Sequence, residues 1–299
     1  MFFTDSYRAL GRGERALAVR YFVISILVLA LIGLPVGFYL LRRFEASATF
    51  HPERAALGGL WRVPRGAEEV WFEASDGVKL YGWHFRPAAR PAAATVIYFH
   101  GNGGNLSYCG WVGESLAGRG FDVLLFDYRG YGRSGGEMSD ERGLYRDAEA
   151  AYDFVTKGRG VPAREVVLYG QSLGTAAAAD VASRRECGAL VLESGLSSAS
   201  DMAGEVIPWL PRFVRGLTKN KLDSVGKLPR VGCPVFVAHG DRDEIIPLAQ
   251  GRKLFDAAPE PKRLHVVEGA GHNDLSDVGG EKYFDSLARF ILDSVRREK

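Results

Sequence analysis

The sequence predicts an α/β protein: a mostly parallel central sheet with helices on both faces and a short cap, preceded by one transmembrane helix. Three observations carry that expectation. Nearly solid apolar runs of strand length, at residues 94–99, 121–128, 189–194 and 234–240, alternate with loop and helix segments in the order of βαβ units. Another such run, beginning at Val166, breaks at a Gly-x-Ser-x-Gly and becomes an Ala-rich helix. Residues 21–41 include no charge, and at 1.5 Å per residue they are long enough to cross a hydrocarbon layer of about 30 Å.

Composition narrows the classes further. With 46% hydrophobic and 25% charged residues, the chain of 299 has the make-up of a globular protein and not of a disordered one. A net charge of +2, with Lys and Arg scattered among Asp and Glu, gives no basic stripe and no case for a nucleic-acid partner. Cys109, Cys187 and Cys233 are odd in number and lack metal-ligand spacing, so they imply neither a disulfide framework nor a zinc site, and no metal is expected.

In order along the chain, residues 1–20 read as a basic tail, 21–41 as the transmembrane helix, 42–69 as a mixed linker containing His51-Pro52 and Gly58-Gly59, and 70–299 as the catalytic domain. A cleaved signal peptide is the rival reading of the apolar run, with Ala46-Ser47-Ala48 as its cleavage site. The run outlasts a signal h-region of roughly 7–15 residues, and Arg42-Arg43 falls where such a site is uncharged, so an uncleaved anchor is expected. Arg8, Arg12, Arg15 and Arg20 precede the span and Arg42 and Arg43 follow it. The positive-inside bias then places the N-terminus in the cytoplasm and the catalytic domain on the opposite side. Residues 70–87 read as a hairpin around Ser75-Asp76-Gly77, where Asp-Gly supplies a tight turn, and two such antiparallel strands make a sheet edge. Helices are expected near 107–118, over about 140–156 with Leu144, Ala148, Ala151 and Val155 on one face, after Pro247, and from about Lys282. The stretch 195–230 interrupts the alternation and reads as a short cap. Its apolar residues Trp209, Leu210, Phe213 and Val214 either line a substrate site or pack down on the domain.

The Gly-x-Ser-x-Gly after Val166 has the context of a nucleophile elbow, in which a sharp strand-to-helix turn pushes Ser172 out at the top of the sheet and Gly170 and Gly174 let the backbone bend. A second match, residues 132–136, has no strand entering it and no apolar helix leaving it, so Ser134 is expected in a surface turn. A serine hydroxyl needs an imidazole to take its proton, and the imidazole needs an acceptor that fixes its tautomer. His272 sits in the glycine-flanked loop GAGHND after the strand RLHVVE, whereas His265 lies within that strand and suits a sheet face. Asp241, Asp243 and Glu244 all follow the strand PVFVAHG, and Glu193 ends the strand before it. Asp243 is preferred as the acid because it clears the His239-Gly240 turn. Asp241 is expected to bond turn amides instead. The oxyanion donors expected are the backbone N–H groups of Leu173 and of Asn102 in HGNGGN, a loop that lacks both the dinucleotide fingerprint and the P-loop lysine, so no cofactor is indicated.

HGNGGN, FDYRGYGRSGG, GQSLG, HGDRDEIIP and GAGHND, in that order from about Val70 onward, resemble the α/β-hydrolase superfamily. The HGN-type loop, the short cap and the N-terminal anchor are similar to its membrane-anchored α/β-hydrolase-domain branch, whose relatives include protein depalmitoylases. The resemblance implies the triad Ser172, Asp243 and His272 and hydrolysis of an ester, thioester or amide in a small-molecule or acylated substrate through an acyl-enzyme. Esters and thioesters fit the short cap better than peptides do. A serine peptidase of the same fold is the runner-up among enzymes, and a non-catalytic scaffold of the same fold is the alternative class.

Overall fold

The computed structural model describes residues 12–55, 61–88, 91–216 and 218–296. Residues 1–11, with Arg8, and the Gly58-Gly59 pair lie outside them, as do the side chains of Arg12, Arg15 and Val214. The chain forms two compact units, Met1–Ala48 and Thr49–Lys299.

Among the described residues the first unit is helical: α1 (Arg12–Thr49) extends past both ends of the uncharged run. Its segment Val19–Thr49 is long and apolar enough to cross a membrane, and its side chains stand exposed, Leu31 at 75% and Leu34 at 73%. A helix apolar all round has no single face to bury in a small soluble core.

The second unit holds one sheet of eight strands in the order β1-β2-β4-β3-β5-β6-β7-β8. The strands are β1 (Ala67–Glu73), β2 (Lys79–Phe85), β3 (Thr95–Phe99), β4 (Asp122–Phe126), β5 (Val166–Gln171), β6 (Ala189–Glu193), β7 (Val235–Gly240) and β8 (Lys262–Val267). The hairpin β1–β2 pairs antiparallel onto β4, and every other neighbouring pair is parallel. Burial follows position. Every residue of β3 and β7 is buried, while edge strand β1 alternates between faces. Strands covered on both sides read as solid apolar runs because neither face meets water.

Helices α2 (Gly110–Gly118) and α8 (Leu275–Val295) cover one face, packing Val112, Leu116, Leu287 and Ile291 against Val96, Tyr98 and Phe236. Helices α3 (Glu141–Asp153), α4 (Gly174–Ala182) and α7 (Leu248–Ala257) cover the other, packing Leu144, Ala177 and Leu254 near Ile97, Leu168 and Val237. Asp140 caps α3 by accepting from the Gly143 amide at 3.1 Å. The stretch expected to form the cap carries two short helices, α5 (Ala199–Val206) and α6 (Arg212–Arg215).

Three features depart from the sequence reading. The last helix begins at Leu275 and not near Lys282. Gly279-Gly280 reads as a breaker and Gly280 does leave helical geometry (φ 55°), yet a turn anchored by the buried Leu275 lies ahead of it. Ser134 is fully buried and not on a surface turn: its Oγ donates to the Asp127 carbonyl at 2.6 Å and accepts from the Tyr81 amide at 2.9 Å. Residues 49–55, expected within a linker, pack onto the domain, with Phe50 only 3% exposed in the core.

Candidate active site

The turn after β5 is shaped by contacts that exclude any side chain. A Cβ on Gly174 would lie 1.9 Å from the Phe99 carbonyl oxygen, and one on Gly170 would lie 2.4 Å from the Gly174 carbonyl oxygen. Both glycines are therefore required for β5 and α4 to meet at this angle beside β3. Between them Ser172 takes φ 52°, a left-handed conformation that non-glycine residues adopt at a cost of about 1–3 kcal/mol. Its N–H donates to the Glu193 carbonyl at 2.9 Å, and its carbonyl accepts from the Thr175 hydroxyl at 2.6 Å. These bonds hold the serine at the C-terminal edge of the sheet, 9% exposed.

His272 reaches the same place from the loop between β8 and α8. The Ser172 hydroxyl donates to His272 Nε2 at 2.9 Å, and His272 Nδ1–H donates to Asp243 Oδ2 at 2.8 Å. Asp243 leaves the end of β7 and is 7% exposed. Its Oδ1 accepts from the amides of Ile245 at 2.9 Å and Ile246 at 2.7 Å, which leaves Oδ2 for the imidazole. Burial works against the charged carboxyl, but bonds from His239, His272 and the Ile246 amide outweigh it and hold the group well below the usual carboxylate range.

His239 escaped the sequence reading. It is fully buried at the end of β7, its Nε2–H donates to the Ile246 carbonyl at 2.7 Å, and the same nitrogen lies 3.3 Å from Asp243 Oδ2. It thus braces the loop that carries Asp243. The HG pair ending the strand was the available signal, but nothing local says that the ring turns toward the loop.

The other acid candidates lie elsewhere. Asp241 Oδ1 accepts from the Gly269 amide at 2.6 Å, so it ties the β7 loop to the β8 loop and not to its own turn. Glu193 is half-buried beneath the edge, where the hydroxyls of Tyr169 and Tyr283 donate to its carboxyl, and desolvation raises its pKa despite those bonds. His265 stacks on Phe236 across β7 and β8, on the sheet face as expected.

Gly101 approaches the elbow closely: a Cβ there would lie 3.4 Å from the Ser172 Cβ and 2.5 Å from Gln171 Oε1. Neither the Leu173 nor the Asn102 backbone N–H meets an acceptor among the described residues. Trp209 and Phe213 are 81% and 75% exposed and Leu210 is half-buried, so the two aromatic rings neither pack down on the domain nor enclose a cavity. A cavity of about 260 Å³ lined by His84, Thr95, Asp122 and Arg159 sits where β3 and β4 begin, the edge opposite Ser172. Among the described residues no cluster of His, Cys, Asp and Glu fits a metal ion.

A family model for the alpha/beta hydrolase fold matches residues 94–227. An uncharacterized protein of Mycobacterium tuberculosis is 36% identical over 233 residues, covering 78% of this chain and 82% of its own. The alpha/beta hydrolase domain-containing protein 17C of Mus musculus is 33% identical over 226 residues, covering 75% of this chain and 68% of its own. Among solved structures, an esterase of Pyrococcus furiosus aligns with a TM-score of 0.67 at 21% identity, covering 82% of this chain and 99% of that one, a likeness of fold. The chain belongs to the α/β-hydrolase superfamily, in the branch of the alpha/beta hydrolase domain-containing proteins, and is a hydrolase.

Proposed function

We propose that the chain is a membrane-anchored serine hydrolase that cleaves carboxylic esters or thioesters through an acyl-enzyme on Ser172. The observation that carries this reading is the hydrogen-bonded row Ser172–His272–Asp243, with spans of 2.9 and 2.8 Å, at the sheet edge where β5 turns into α4. His272 takes the Ser172 proton as the Oγ attacks the carbonyl, and it returns that proton to the leaving alkoxide or thiolate. Water then enters by the same route, His272 accepts its proton, and the acid and free serine are released. Asp243 keeps His272 in the tautomer with Nδ1–H and stabilises the imidazolium. The Leu173 and Asn102 amides receive the oxyanion.

Leaving groups favour esters over amides. An alkoxide or thiolate departs with modest help, whereas an amine must be protonated in place by a well-positioned imidazolium. Such positioning calls for an extended cleft, and the two short helices α5 and α6 offer none. The exposed apolar rings of Trp209 and Phe213 suit an acyl chain better than a peptide backbone. A tether near a bilayer also raises the local concentration of acylated substrates.

The test is a panel of p-nitrophenyl esters, acyl thioesters and aminoacyl anilides, run on wild type and Ser172→Ala with parallel fluorophosphonate labelling. Ester and thioester turnover is expected to exceed anilide turnover, and Ser172→Ala to lose labelling and about 10⁴-fold or more in kcat. Anilide turnover equal to ester turnover moves the reading to a peptidase. Absence of any Ser172-dependent turnover moves it to a scaffold.

A further inference from the structure

Residues 49–55, at and just after the end of α1, bond to the loops 100–105 and 130–136. The Asn102 side chain is the centre of this contact. Its Nδ2 donates to the Thr49 carbonyl at 2.8 Å and to His51 Nδ1 at 2.8 Å. Its Oδ1 accepts from the His51 amide at 3.0 Å and from the Tyr131 hydroxyl at 3.0 Å. Both hydrogens and both lone pairs of this amide are in use, which is the full capacity of an asparagine side chain. Three of the bonds go to the emerging segment.

The contact continues past Asn102. The Glu53 amide donates to the Gly104 carbonyl at 3.4 Å, the Glu53 carbonyl accepts from the Gly132 amide at 2.8 Å, and the Glu53 carboxyl accepts from the Tyr108 hydroxyl at 3.2 Å. Arg54 donates to the Ser134 carbonyl at 2.7 Å and to the Gly136 carbonyl at 2.5 Å. Phe50 is buried in the core cluster that contains Tyr128 and Tyr131. The segment is therefore a strap fastened to the loop 100–105 on one side and the loop 130–136 on the other.

We propose that this strap positions the oxyanion loop, so that Asn102 has two separate roles: its backbone N–H faces the reacting carbonyl, and its side chain is the clamp by which residues 49–51 hold that N–H in place. The proposal rests on the serine-hydrolase reading above. Its physical reason is the glycine content of the loop. Gly101, Gly103 and Gly104 flank Asn102 and hold no conformation by themselves, so external bonds must select one. Preorganised donors stabilise a transition state only if they are fixed before the charge develops. The chain that follows α1 thereby fixes the loop beside Ser172, and Asn102, His51 and Thr49 are positioning residues.

The experiment uses the full chain in detergent micelles, with wild type, Asn102→Asp, His51→Ala and Ser172→Ala. Asn102→Asp keeps the shape and both acceptor bonds but removes the two donors, and every variant keeps the backbone N–H at position 102. Functional sites are counted by fluorophosphonate titration at completion, so unfolded protein does not enter kcat. Losing one oxyanion donor outright costs about 10²–10³ in kcat, and a displaced donor is expected to cost roughly tenfold or more. Asn102→Asp should lower kcat per site by that factor with KM nearly unchanged, and should weaken a trifluoromethyl ketone inhibitor by the same factor as kcat/KM. His51→Ala should show a smaller loss of the same kind. Hydrogen–deuterium exchange should rise together in residues 49–55 and 101–105 of Asn102→Asp while β5 and α4 stay protected. Wild-type kcat per site and inhibitor affinity in Asn102→Asp, with Ser172→Ala inactive, would overturn the strap and leave the hydrolase reading standing. Full turnover in Ser172→Ala would overturn both. Exchange that rises in only one of the two segments would also overturn the strap.

Discussion

At the residue scale, the division of Asp243 between its two oxygens decides what the site can do. Oδ1 is committed to the Ile245 and Ile246 amides, so Oδ2 points at His272 with no freedom to turn away. Asp243→Asn keeps that shape but presents the imidazole with an amide, which favours the wrong tautomer. It is expected to lower kcat by about 10⁴-fold with the melting temperature little changed, whereas Asp241→Asn, at the tie to Gly269, should cost less activity. Equal severe losses in kcat at both positions would remove Asp243 from its role. Asp127 gives a second residue-scale prediction. Burial pushes its carboxyl up to about 7, although the Leu106 amide donates to its Oδ1 at 2.7 Å. For an acid raised in the folded state, folding retains a proton that the unfolded chain releases from about pH 4 upward. The associated stability is present below that pH and is lost as pH rises toward about 7. Asp127→Asn should therefore gain in denaturation midpoint relative to wild type across pH 4 to 7, and the gap should stay flat above 7. A gap that shrinks with pH would show that the carboxyl is ionised in the fold.

At the element scale, the elbow and the hairpin rest on different physics. Where β5 meets α4, backbone lies against backbone. Gly174→Ala would place a methyl 1.9 Å from the Phe99 carbonyl, and it should destabilise by several kcal/mol or prevent soluble expression. Gly118→Ala, at the end of α2 with open space around it, should leave the melting temperature unchanged or raise it, since alanine stabilises a helix by roughly 0.5–1 kcal/mol over glycine. The β1–β2 turn is held by charge instead. Arg129 bonds Asp147 of α3 at 2.7 Å and Asp76 of the turn at 2.7 Å. Its bonds hold the exposed Asp76 low, while burial keeps Asp147 raised despite the same partner. Arg129→Leu strands a buried Asp147 and should cost about 3–5 kcal/mol in urea unfolding, and a loss under 1 kcal/mol would mean the network is neutral.

At the scale of the whole molecule, the proposed anchor and the strap make one continuous stretch of chain. The exposed apolar surface of Val19–Thr49 is expected to keep the full-length protein in the membrane pellet through a carbonate wash with its N-terminus intact. Soluble protein starting near Thr49 would show a cleaved signal peptide instead. A cut at that point would spare the strap, because its bonds begin at the Thr49 carbonyl.

By itself the sequence determined the fold class, the antiparallel hairpin at the sheet edge, the elbow at Ser172 and the loops that carry His272 and Asp243. Each of these follows from local rules: solid apolar runs where both faces of a strand are covered, and glycines where backbone meets backbone. The tertiary structure alone decided that Ser172 and His272, 100 residues apart in sequence, meet at 2.9 Å. It also turned His239 toward the loop of Asp243, buried Ser134, left Trp209 and Phe213 in the open and fastened residues 49–55 to the loop of Asn102. Those outcomes depend on hydrogen bonds and packing between distant segments. A polar side chain bonded 50 residues away has the same neighbours in sequence as one bonded to water, so no periodicity records it.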